Sequence, residues 1–363
     1  MTHPLLPVEI VLAPDWWHRH AGICFDPDFF FHPARRMEDE RKMERVLSER
    51  WGRCGLSADA DTDVPLVGAT HLAAGYLLSE MMGCRVEYLE SAPPQVIPAG
   101  LDRPQTDPKA AFHSDAFRRF QTMREQLRSR YGRLAGDVNW NGVLNLALDL
   151  RGQDLYLDFI DQPEQVAAFF RDIAAVIDRF TDSIQRETGT SSISVNRTVR
   201  FFERPVYLHS ECSLTMISVE DYERFLLPFD LAWSARHEMF GIHYCGRDPH
   251  RYAQAFAKIP NLRFLDAGWG GDLRVLRRHL PDTFLNIRLG PVDLVQMTPD
   301  EIRAVVHRLV ADAGGPANAG LCCINLDATV RDEQIAAIFE AAEEIRRAYR
   351  EGNLAVPLAD ETS

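Results

Sequence analysis

The chain of 363 residues has no long uncharged apolar run. A membrane-spanning helix needs about 20 mostly apolar residues in succession, so the sequence offers no candidate span. It also lacks the basic and apolar regions of a secretory signal, opening instead on Met1-Thr-His-Pro. A cytoplasmic location is the expectation. Basic residues are in deficit, 40 Lys and Arg against 53 Asp and Glu, for a formal net charge of −13. Nucleic-acid and anionic-membrane surfaces draw their affinity from Lys and Arg, so neither partner class is favoured. Cysteine is scarce too: seven, an odd number, widely scattered. That excludes a disulfide framework of the small secreted type and suits reduced thiols or metal ligation. No internal repeat, low-complexity tract or long linker breaks the chain, so one domain spanning 1–363 is expected.

What is present reads as an ordinary globular protein, 46% hydrophobic and 26% charged. Apolar, strand-like runs recur at Val8–Ala13, Val64–Gly68, Ser192–Val195, Pro205–Leu208, Met239–His243, Arg263–Leu265, Phe284–Ile287 and Gly320–Ile324. Helical segments lie between several of them. Pro163–Gln185 carries Val166, Phe169, Phe170, Ile173, Val176 and Ile177 at helical spacing. Thr298-Pro-Asp-Glu and Ser218-Val-Glu-Asp read as helix starts, with a capping hydroxyl followed by carboxylates that face the helix dipole. Asp332–Arg350 reads as a surface helix. Alternating β and α units predict parallel strands, and about eight of them predict an α/β fold of the (β/α)8 TIM-barrel type. Three stretches fit the repeating unit poorly: a charged helical arm at Asp26–Arg53, a Pro-rich loop at Glu90–Asp107, and a polar helix at Ala111–Arg133. The arm makes 1–60 an N-terminal helical extension, with the barrel over 61–350 and a tail at 351–363.

The chemistry concentrates at His243-Tyr-Cys245-Gly246, which closes the strand Met239–His243. Side chains alternate along extended backbone, so residues two apart point the same way, and an imidazole and a thiolate can grip one soft metal ion. Cys322-Cys323 closes a later strand, and adjacent residues face opposite sides, so one of the two is expected to point inward. In a parallel barrel the reactive groups gather at the carboxyl ends of the strands. His243 and Cys245 with Cys322 or Cys323 make a zinc-type set that leaves a fourth position for substrate. Glu211, in His209-Ser-Glu211-Cys212, is a candidate fourth ligand or base, and Asp266 a candidate to orient His243. Asn196 and Arg197 are further polar groups at a strand end. Gly268-Trp-Gly-Gly271-Asp272 matches no dinucleotide fingerprint and reads as a strand-to-helix loop. Ser210 and Ser218 have no triad context.

Trp16-Trp-His-Arg19-His-Ala-Gly22, Met82-Gly83-Cys-Arg-Val-Glu-Tyr, Ser218-x-x-x-Tyr222-x-x-Phe225-x-x-Pro228 and His243-x-Cys245-Gly246 occur in the order of known motifs. In them the chain resembles the uroporphyrinogen decarboxylase superfamily over nearly its whole length, and within it the zinc-dependent corrinoid methyltransferase branch. The resemblance implies one (β/α)8 barrel with a funnel at its carboxyl face. Decarboxylases of the family carry a second arginine after the Ala-Gly pair, where this chain has Ile23. They also carry an aspartate near the position of Ala73–Gly75, where this chain has none. Arg19 is retained. A substrate with many carboxylates would lack its anion partner and main electrostatic stabiliser, which turns the expectation toward methyl transfer.

The resemblance therefore implies zinc as cofactor, held by His243, Cys245 and Cys322 or Cys323, with Glu211, Asp266 and Arg19 as candidate catalytic groups. It also implies a corrinoid of the cobalamin type supplied by a corrinoid-binding partner protein. A small molecule would be the methyl donor or acceptor, and Trp16, Trp17, Phe29, Phe30 and Phe31 are candidates to line its side of the funnel. The alternatives are a metal-free decarboxylase-like enzyme acting on a smaller substrate, and a non-catalytic barrel that binds a small molecule.

Overall fold

The computed structural model describes residues 3–57, 64–68, 71–73, 75–136, 138–189 and 197–353. Among the described residues, six strands form one parallel sheet: β1 (Val8–Leu12), β4 (Tyr207–Ser210), β5 (Phe240–His243), β6 (Leu262–Ala267), β7 (Phe284–Leu289) and β8 (Ala319–Leu326), in the order β1-β8-β7-β6-β5-β4. β2 (Arg85–Leu89) and β3 (Ala92–Ile97) form a separate antiparallel pair. Among the described residues, none of the helices is long and apolar enough to cross a membrane.

Parallel strands buried on both faces read as near-continuous apolar runs, which is why β1, β5, β7 and β8 fall where the sequence places them. Their inward side chains, Val11, Leu208, Phe264, Phe284 and Ile324 among them, pack into one apolar cluster. Outward residues such as Ile10, Ile242, Leu265 and Leu321 join the larger core beneath the helices. Strand ends are less legible. β4 runs on through His209 and Ser210, because Ser210 pairs with His243 of β5. β8 runs on to Leu326, which places Cys322 and Cys323 in its middle and not at its tip.

Three differences from the expected units follow from local physics. Val64–Gly68 shows one parallel bridge, Leu66 to Ala135, and the expected strand Ser192–Val195 lies outside the described residues. The expected loop Glu90–Asp107 contains β3, where Pro93 and Pro94 are tolerated because the pair has only two strands and its register shifts beside them. The helices are closer to expectation. Pro163–Thr188 and Asp332–Arg350 bury apolar stripes, and Pro27–Phe31 and Pro33–Trp51 form the N-terminal arm. Trp16, Trp17, Phe29 and Phe30 are buried core residues, packed against Trp51, Tyr76 and each other, and Phe30 and Phe31 also line a cavity with Leu72 and Tyr76.

Candidate metal centre

Above the apolar plug, the inward positions turn polar. Ser210 pairs with His243, His243 with Asp266, and Asp266 with Asn286. These four therefore stand at one level near the carboxyl ends of adjacent strands. Asp266 organises the level. One of its carboxylate oxygens, Oδ2, meets Nδ1 of His243. The other, Oδ1, accepts from Nδ2 of Asn286 at 3.2 Å and from Cys322 Sγ at 3.5 Å. Burial by itself would raise the Asp266 pKa, but the His243 and Arg288 charges hold it below the ordinary carboxylate value.

His243 turns its second nitrogen, Nε2, to Cys245 Sγ at 2.9 Å. The two-residue spacing at the end of β5 thus delivers both donors to one point. Cys212 completes a group whose ligand atoms, on Cys212, His243 and Cys245, all lie within 4.8 Å of one another. The Cys212 thiol donates to Cys245, and that bond first, then the His243 and Arg288 charges, keep the Cys245 thiol well below its usual pKa. Cys212 is pushed the other way, by the same bond and by burial. Burial would lower the His243 pKa, but the Cys245 and Asp266 charges bring it up to about 9. The group reads as a thiolate held between an imidazolium and a thiol, and loss of the Nε2 and Cys212 protons would make it a soft donor set suited to a thiophilic divalent ion.

Cys212 enters this group where Cys322 and Cys323 were expected. It belongs to a short 3-10 turn, Cys212–Met216, that begins directly after β4, the neighbour of β5. The signal in the sequence was a cysteine following a strand end, but strand adjacency is needed to read it. Mid-strand placement accounts for the other two. The Cys322 thiol reaches Asp266, whereas Cys323 faces outward, its Sγ 3.6 Å from the Leu289 carbonyl oxygen. Burial raises both thiol pKa values, that of Cys323 to about 12.

Glu211 belongs to a different group, with His209 and Asp230, on the outer side of β4. His209 Nδ1 binds Asp230 Oδ1 at 2.7 Å, and Tyr222 donates to Asp230 Oδ2 at 2.6 Å. Trp140 stacks on the His209 ring. Glu211 comes within 3.4 Å of the same Nδ1, but among the described residues neither of its oxygens has a hydrogen-bond partner. The ring proton is directed at Asp230. Burial accordingly raises the Glu211 carboxyl to about 8. Alternation along β4 separates this group from the inward-facing Ser210, so Glu211 and His243 lie on opposite sides of the sheet. Arg19 is exposed in the last turn of the helix Pro14–Ala21, not buried with either group.

The loops around the centre are closely fitted. A Cβ on Gly268 would stand 1.7 Å from the Gly246 carbonyl oxygen, so only glycine lets the loop after β6 lie against the Cys245–Gly246 segment. Arg288, near the end of β7, is 6% exposed. Its charge is maintained by Cys245 and Asp266 although burial opposes it.

Comparison with known proteins adds the fold. Family profiles give no match to the chain, and curated protein sequences give none. Among solved structures the chain is similar to a methyltransferase from Methanosarcina mazei, with 13% identity and a TM-score of 0.63 over 95% of each chain. It is also similar to a B12-independent methionine synthase from Shewanella sp. W3-18-1, with 9% identity and a TM-score of 0.50 over 96% of this chain and 99% of that one. At such identities the likeness shows the fold alone, a mixed α/β architecture built on a parallel sheet.

Proposed function

We propose that the protein is a zinc-dependent methyltransferase of the cytoplasm, moving a methyl group between a small methylated compound or thiol and a corrinoid carried by a partner protein. The observation that carries this reading is the convergence of Cys212, His243 and Cys245 within 4.8 Å. Thiolate and imidazole donors favour zinc over magnesium or calcium, and three protein ligands leave one position for a substrate atom. The similarity in fold to a methyltransferase supports the same chemistry. When bound, zinc would polarise a sulfur, oxygen or nitrogen of the substrate, activating a thiol as nucleophile or a methylated heteroatom as leaving group.

The chain's own residues prepare that position. Asp266 engages Nδ1 of His243, which fixes the ring orientation and leaves Nε2 to face the metal position. Cys245 supplies a thiolate and Cys212 a second sulfur next to it. Arg288 and its positive charge offset the concentration of anionic sulfur. A second ligand set has one observation in its favour. Cys322 touches the carboxylate that holds His243, which keeps a Cys322, His243 and Cys245 set as the second reading.

The reading also extends the six-stranded sheet to a closed eight-fold ring. In that ring the segments around Leu66 and Ala135, joined by one parallel bridge, would take the two missing positions. On one side, His71 packs beside Trp17, which follows β1. On the other, Val143 N–H meets Nε2 of His209 on β4, and a Cβ on Gly142 would stand 1.9 Å from the Ser210 carbonyl oxygen.

Metal content and methyl transfer, measured on the same preparations, test the proposal. The wild type should hold about one zinc, and Cys212→Ser, His243→Ala and Cys245→Ser should each lose most of it. Retention of zinc by Cys212→Ser together with its loss from Cys322→Ser would move the third ligand to β8. Methylation of Co(I) corrinoid, followed by visible absorption with a panel of methylated donors, should require the zinc. Transfer by metal-free protein overturns the reading.

A further inference from the structure

We propose that the substrate of this centre bears a carboxylate and that Arg288 receives it; the inference rests on the methyl-transfer reading and names the substrate class for the same site. Arg288 is 6% exposed, and it donates to Cys245. Among the described residues, its Nε and Nη1 have no hydrogen-bond partner. A buried cation with unsatisfied N–H groups is costly to maintain, and a guanidinium is shaped to bind carboxylate through parallel hydrogen bonds. The side chain is held for that task, since its guanidinium carbon lies 5.6 Å from the centre of the Trp269 ring.

The space beside it fits the same ligand. Arg288 lines a cavity of about 180 Å³, whose charged residues are Arg247, Arg288 and Arg308 against a single carboxylate, Asp293. Trp269, Met297 and Ile302 give it apolar walls. A cavity of about 150 Å³ is enough for one benzene-sized body, so the volume admits a carboxylate on a small apolar frame. The same guanidinium touches Cys245, so a carboxylate held by Arg288 stands within one side chain of the Cys212, His243 and Cys245 group.

Mercaptopropionate and its neutral counterpart mercaptopropanol test the anion preference on zinc-loaded protein by titration calorimetry. Butanoate and butanol, which lack a sulfur for the metal, test it on zinc-stripped protein by ligand-observed magnetic resonance. The acid of each pair should bind about tenfold tighter than the alcohol. Arg288→Met should abolish that preference, and Met297→Trp, which fills the cavity and leaves Arg288 in place, should weaken both members of each pair. Equal binding of acid and alcohol by the wild type, or a preference that survives Arg288→Met, overturns the proposal. If Arg288→Met does not fold, Met297→Trp decides, and undiminished binding by that variant is the overturning result. A preparation that never holds zinc yet keeps the butanoate preference defeats the metal reading and leaves the anion site standing.

Discussion

Asp266 shows how one buried side chain can fix a whole centre. Both its oxygens are engaged, one by His243 and the other by Asn286 and Cys322. Asp266→Asn keeps the shape but removes the charge and one acceptor oxygen. The imidazole then loses the partner that sets its tautomer, and outer partners of this kind are worth about 10–100-fold in metal affinity. Zinc affinity of Asp266→Asn should fall by about that factor in competition with a chromogenic chelator, and an unchanged affinity would remove Asp266 from the ligand support. Its contact with His243 was readable in the sequence, since Asp266 follows the apolar run Phe264-Leu265 at a strand end. His243 and Cys245 were readable for a similar reason, a two-residue spacing on extended backbone. Cys212 was not, because its place depends on which strands are neighbours. Cys322 and Cys323 were given to a strand tip, and β8 continues past them to Leu326.

At the scale of elements, helix starts were the most legible feature. Thr298 caps the helix Pro299–Asp312 with a full capping box, and Ser218 caps Val219–Phe225. A hydroxyl, a proline and early carboxylates are local signals, and local geometry answers them. The hairpin β2–β3 had no such signal, since its prolines are those of a loop and only pairing with Arg85–Leu89 makes the segment a strand. Loops around the centre depend on contacts that cross elements. Gly268 illustrates this, because an added Cβ would meet backbone atoms of Cys245 and Gly246, which cannot swing aside. Gly268→Ala should cost about 1–3 kcal/mol of stability, as overpacking does, and should lower zinc affinity through displacement of Cys245. Urea unfolding and chelator competition measure the two effects. A loss of stability with normal zinc affinity would separate the loop packing from the metal centre.

Across the whole molecule, the two ends of the chain are joined. β1 pairs with β8, Arg50 pairs with Asp332 at 2.8 Å, and Arg346 donates to the carbonyl oxygens of Leu5 and Leu6 at 3.0 and 2.8 Å. Such pairings of high sequence separation close large loops, and their formation waits on much of the intervening chain. The centre lies on the opposite flank of the sheet, where Cys212 follows β4 and His243 ends β5. A metal shared by those neighbouring loops binds the folded chain and not the unfolded one, so it stabilises by mass action. At free zinc about 100 times its Kd the gain is about 2.7 kcal/mol. Divided by the unfolding entropy of a chain this long, that becomes a shift in Tm of roughly 3 °C. Chelation should therefore lower the Tm of the wild type by about that amount, in a calorimetric scan before and after removal of zinc. The double variant Cys212→Ser/Cys245→Ser should show the lower Tm from the start and no response to chelator. A wild type that releases its zinc with no change in Tm would place the metal outside the folded centre, because an ion held only by native geometry has to shift the folding equilibrium.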